Sequence, residues 1–206
     1  MAEFEQPQIY LITPPEVDLL TFPDLLAGIL DATPIACVRL SLSSRDETVI
    51  SRTGDALREV THPRDVALVI EEHVQMVEKL GLDGVHLSDG GRSVRHVRKE
   101  LGRDAIVGAY CGTSQDSGMS AGEAGADYVS FGPVGPSPLG DGTIAGADLF
   151  SWWSEMVEVP VVAEGFMNKE IVATLCSITD FLAFGQEIWQ ADDPSAHLAE
   201  LINAIP

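Results

Sequence analysis

Basic residues are scarce in this chain, so one that closes an apolar run stands out. The 206 residues carry 12 Lys and Arg against 32 Asp and Glu, a formal charge of −20. Arg39, in Cys37-Val-Arg-Leu, is such a residue. A strand-end Arg is normally held by an anion. That anion is either a bound ligand or an internal carboxylate, with Glu72 and Asp89 the expected partners. Glu71, Glu72 and Asp89 follow two further runs and carry the oxygen ligands that a hard cation takes, so together they are a candidate metal site. Their alternative role is as acids at solvated helix N-termini. His86 is either a hydrogen-bonded core histidine or a proton carrier, and His73 is a second imidazole nearby. Tyr110 would stack on a heteroaromatic ring or donate its hydroxyl. Cys111, beside it, has no base close in sequence to make it a nucleophile. Gly165 and Gly185 end two later runs, where backbone N–H groups bind phosphate, and Gly132, Phe166 and Gln186 join them as candidate ligand contacts.

The elements that position these residues are legible as eight short apolar runs, at 9–13, 35–40, 66–70, 84–87, 106–109, 127–131, 159–163 and 180–184. Helical signals alternate with them at 23–31, 45–60, 74–80, 93–101, 114–124, 147–157, 169–176 and 194–205. Thr21 is the expected N-cap of the first, and Gly81, Gly102 and Gly125 the expected stops of three others. Alternating strand and helix predict an α/β protein with a parallel sheet, and eight units close a (β/α)₈ TIM barrel in one domain over residues 1–206. Such barrels place their chemistry at the C-terminal strand ends, where every candidate above lies. The longest loop, at 132–143, leaves one of those ends and reads as an active-site flap.

Composition narrows the classes further. Hydrophobic residues make up 45% and charged residues 21%, ordinary for a globular protein. No apolar run nears the roughly 20 residues of a membrane span. The acidic start, residues 1–7, lacks the features of a secretory signal, and three widely spaced cysteines suit a reducing cytoplasm. The negative charge argues against nucleic acid or an anionic membrane as partner, yet leaves room for a phosphorylated small molecule held locally. Trp152, Trp153 and Trp189 read as packing or subunit-contact residues.

Several phrases resemble thiamine phosphate synthase and its thiazole tautomerase relatives. They are Tyr10-Leu-Ile-Thr, Leu82-Asp-Gly-Val-His-Leu, the segment from Ala124 to Pro133 reading Ala-Gly-Ala-Asp-Tyr-Val-Ser-Phe-Gly-Pro, and Val159-Pro-Val-Val-Ala. The resemblance implies a barrel that joins a pyrimidine diphosphate to a thiazole phosphate, with Mg²⁺ and cations on the departing pyrophosphate, and suggests a homo-oligomer. At the positions that would supply those groups the chain departs from the pattern. Gln-x-Arg-x-Lys becomes Cys37-Val-Arg-Leu-Ser, and Asn-Asp-Arg becomes Glu71-Glu-His. The second expected metal ligand falls on Gly91. The lysine-bearing loop becomes Gly135-Pro-Ser-Pro-Leu-Gly-Asp-Gly, without a lysine, and Gly-Gly-Ile becomes Gly165-Phe-Met. Each charge-assisted hydrogen bond missing from the site costs about 1.5–3 kcal/mol. The expectation is therefore a divergent barrel that binds a phosphorylated heteroaromatic compound with synthase activity weak or lost. The alternatives are an active synthase using Glu72 and Asp89 as replacement Mg²⁺ ligands, and a non-enzymatic partner or sensor in thiamine formation.

Overall fold

The computed structural model describes residues 6–205; the acidic segment 1–5 lies outside them. Eight parallel strands close into a barrel in sequential order. They are β1 (Gln8–Ile12), β2 (Cys37–Leu40), β3 (Ala67–Glu71), β4 (Gly84–Leu87), β5 (Ile106–Tyr110), β6 (Tyr128–Phe131), β7 (Val161–Ala163) and β8 (Phe181–Phe184). The enclosing helices are α1 (Phe22–Ala32), α2 (Glu47–Thr61), α3 (Val74–Leu80), α4 (Val94–Leu101), α5 (Gln115–Ala124), α6 (Ala147–Met156), α7 (Lys169–Leu175), α8 (Gln186–Trp189) and α9 (Pro194–Ile202). The short α8 has no counterpart in the apolar pattern, because four residues are too few to show a helical period.

Strand alternation divides the buried side chains into two clusters. The outer one, between sheet and helices, includes Leu11, Val38, Leu68, Val85, Val107, Val129, Val161 and Leu182. The inner one fills the barrel with Tyr10, Cys37, Val69, Tyr128, Val162 and Ala183. Successive side chains on a strand face opposite sides, so Arg39 shares the inner face with Cys37, and Ser130 with Tyr128. The tyrosines would not fit a barrel lined by larger residues. A Cβ on Gly108 would lie 2.0 Å from Cζ of Tyr128, so the glycine makes room for that ring.

The opposite end of the barrel is braced by three aspartates. Asp83, Asp127 and Asp180 each precede an even-numbered strand, and each carboxylate accepts the backbone N–H of a residue on the preceding strand: Leu68, Val107 and Val161, all at 2.7 Å. At strand starts 127 and 180, where the apolar pattern suggests sheet, the residue is this brace instead. Thr21 does occupy the N-cap position of α1, but its hydroxyl donates to Asp18 and does not cap the helix. Gly81, Gly102 and Gly125 follow their helices with positive φ, as expected. Trp153 is buried in the outer cluster, donating its indole N–H to the Val159 carbonyl, and Trp189 donates to the Ile12 carbonyl.

Candidate active site at the barrel mouth

Arg39 lies on the inner face of β2, 5% exposed, where an unpaired guanidinium would be strongly unfavourable. Its partner is Glu164, the residue after β7, which is 1% exposed. Arg39 Nη1 donates to Glu164 Oε1 at 3.3 Å and Nη2 to Oε2 at 2.5 Å. Ser130 Oγ donates to the same Oε1 at 2.5 Å. Burial alone would lower the Arg39 pKa; Glu164, with Tyr10 and Glu71 adding to it, more than offsets this and holds the group firmly protonated. The expected bridge to Glu72 or Asp89 is thus not formed. Alternation would have pointed to Glu164, which stands two residues beyond the inward Val162. The usable signal was an acid where the strand's inner face continues.

Behind this pair lies a group of buried polar side chains. His86 Nε2 lies 3.8 Å from Glu164 Oε1, and its Nδ1 is 2.9 Å from the Tyr128 hydroxyl, which is 2.8 Å from that of Tyr10. Burial first, then the positive charge of Arg39, push the His86 pKa well below its ordinary value, so the ring is neutral. Burial raises both tyrosines, and it pushes Cys37 up to about 12.

Above the pair opens a cleft of about 540 Å³. Arg39, Gly165, Phe166, Gly185 and Gln186 line it together, as do Glu71, Glu164 and Glu187. The 132–143 loop contributes Pro136, Ser137, Pro138 and Leu139 to its wall, so the predicted flap borders the mouth. Gly165 has φ +96°, and a Cβ there would come within 2.7 Å of Pro133 Cα, so the β7 turn and the flap pack backbone to backbone. Phe166 is also left-handed, at φ 63°, and presents its ring half exposed at the rim. Glu187, which nothing in the sequence singled out, is raised in pKa by burial and accepts the Met167 N–H at 3.3 Å.

The remaining candidates lie elsewhere. His86 is one layer below the cleft. Tyr110 donates its hydroxyl to the Gly132 carbonyl at 2.8 Å, anchoring the root of the flap, and burial raises it to about 12. Gly132 is buried against Glu164. Glu72 is exposed, with φ 64°, and its carboxylate accepts the Ser88 N–H at 2.6 Å. It lines a separate groove with His73 and His96, so β3 aims Glu71 rather than Glu72 into the barrel mouth. Asp89 accepts from Ser93 Oγ and lines neither cavity. Cys111 is buried, its thiol pushed up to about 11 by burial, which keeps it protonated and inert.

The profile of the family described as thiamine monophosphate synthase matches residues 9–186. The chain belongs to that family. It is 38% identical to a thiamine-phosphate synthase of Rhodospirillum centenum over 94% of this chain and 95% of that protein. To a thiamine-phosphate synthase of Erythrobacter litoralis it is 34% identical, over 95% of each. Among solved structures it superposes on a thiamine phosphate pyrophosphorylase from Pyrococcus furiosus with TM-score 0.82 at 22% identity, covering 96% of this chain and 94% of that one. This last similarity is one of fold. The Mg²⁺ that the family resemblance implies finds no preassembled cradle. The described residues hold no group of three or more His, Cys, Asp or Glu able to share one ion. Glu72 and Asp89 are engaged locally, and the buried Oε2 of Glu71 faces Arg39 Nε. Any Mg²⁺ would therefore be held by one or two carboxylates together with the substrate's own phosphates, and no catalytic step is routed through it.

Proposed function

We propose that this protein catalyses the family transfer, joining a pyrimidine diphosphate to a thiazole phosphate in the cleft at the barrel mouth. The C–O bond between the pyrimidine methylene and the diphosphate breaks with its electron pair leaving on pyrophosphate. The thiazole nitrogen then supplies the pair for the new C–N bond. The observation that carries this reading is a cleft at the C-terminal strand ends of a chain that is 38% identical, almost end to end, to a thiamine-phosphate synthase. Phe166, Pro138, Leu139 and Ile12 would form apolar walls for two flat rings, and Gly165 and Gly185, which line the same cleft, would offer backbone N–H groups to a phosphate. Glu71 and Glu187 place negative charge beside the ring that turns cationic as pyrophosphate departs.

A second reading, binding of the same ligands with slow or absent turnover, is favoured by a specific feature. Arg39, the one guanidinium lining the cleft among the described residues, already donates from each Nη group to Glu164. Purified protein with both substrates and Mg²⁺, followed by pyrophosphate release and product formation, separates the two. Turnover within the ordinary enzymatic range, about 1–10³ s⁻¹, supports the transfer. Saturable binding of both compounds without product supports the second.

A further inference from the structure

We propose that Glu164 is a specificity-determining residue: by balancing the charge of Arg39 and taking one N–H from each of its Nη groups, it weakens the cleft's hold on the diphosphate and so narrows the preference for a diphosphate over ligands of lower negative charge. The ligand class rests on the reading above; the internal competition does not.

Among the described residues that line the cleft, Arg39 is the one Lys or Arg, facing three carboxylates, Glu71, Glu164 and Glu187. A phosphate group entering from the mouth meets a guanidinium that already gives two of its five N–H groups to Glu164, at 3.3 and 2.5 Å. Nε has no hydrogen-bond partner and stands 3.8 Å from Glu71 Oε2, itself unpartnered. An incoming anion must therefore either share a guanidinium whose charge is already balanced, through Nε or the second N–H of an Nη group, or displace Glu164. Displacement is costly, because the freed carboxylate would remain buried with only the Ser130 hydroxyl and a neutral imidazole for company. Glu164 is thus an intramolecular anion held permanently at the position an oxyanion would take, and its β7 anchorage gives it an advantage that no free ligand has. The same geometry leaves the apolar walls and the Gly165 and Gly185 turns unaffected, so it discriminates by charge rather than by shape.

The test is titration of inorganic pyrophosphate, by calorimetry at fixed ionic strength, into the wild type and into Glu164→Gln, Glu71→Gln and the double variant Arg39→Gln/Glu164→Gln. Glu164→Gln should tighten pyrophosphate binding about tenfold or more, the effect of returning charge-assisted donors to the ligand. Glu71→Gln should stay within about threefold, since its oxygen is farther from Arg39. The double variant should lose the gain. Should Glu164→Gln fail to fold, Glu164→Asp, which retracts the charge by one methylene, must tighten binding in the same direction by a smaller factor. Binding no tighter than wild type in the folded Glu164 variants, or a gain that survives loss of Arg39, would overturn the proposal. If the transfer is catalysed, Glu164→Gln should lower KM for the pyrimidine diphosphate and leave that for the thiazole phosphate unchanged. A gain in pyrophosphate affinity without any turnover supports the competition and sinks the transferase reading alone.

Discussion

His86 sits where a proton would disrupt the barrel interior. It is 1% exposed, bonded through Nδ1 to Tyr128, and kept neutral first by burial and then by Arg39. In the unfolded chain an imidazole ionises near pH 6.5. Because the folded pKa is depressed, the stability linked to His86 is fully present above the unfolded value and is lost as pH falls towards the folded one. For a ring that stays neutral in the fold, lowering the pH from 7 to 5.5 costs about 1.3 kcal/mol. His86→Asn keeps a polar group near Nδ1 for the Tyr128 hydroxyl and removes the titration. Urea unfolding of both proteins at the two pH values isolates the effect, since the other four histidines, including His62 beside Asp83, are common to both. The wild type should lose about 1.3 kcal/mol more than the variant on acidification. A difference below about 0.3 kcal/mol, the ordinary scatter of such comparisons, would refute the neutral, buried histidine.

The Arg39–Glu164 pair should behave as a unit. Arg39→Met or Glu164→Leu alone should cost about 3–5 kcal/mol, and the double variant should recover most of it, as read by a double-mutant cycle in urea. Additive losses would mean the two charges do not depend on one another. Asp180→Ala removes the 2.7 Å acceptor for the Val161 N–H and should destabilise by about 1–3 kcal/mol without altering ligand affinity. Gly165→Ala forces a Cβ into φ +96° and towards Pro133, so both stability and ligand affinity should fall, the former by about 2 kcal/mol. All three cysteines are buried, so at pH 8 a thiol reagent such as DTNB should modify none in the folded protein and three after denaturation.

Much of the architecture was readable from one dimension because strand and helix periods are local properties. Eight apolar runs, with stops at Gly81, Gly102 and Gly125, define the barrel, and the barrel in turn locates the mouth. The flap was readable too, as a loop too long to be a simple connection. Side-chain direction was harder to read. Glu71 and Glu72 are adjacent and chemically alike, and the alternation of β3, which puts Val69 on the inner face, turns Glu71 towards the cleft. Asp127 and Asp180 look like strand residues by position but brace their neighbours' backbones.

The sequence by itself determined the eight-fold alternation, the family phrases and the shortage of positive charge at the strand ends. Only the tertiary structure decided how the remaining charge is used. It pairs Arg39 with a glutamate 125 residues away, which meets it because closure of the sheet brings β2 and β7 to face one another across the interior. Charge in a low-dielectric interior is settled by distances of a few ångströms between such elements, and no local pattern in a chain encodes those distances.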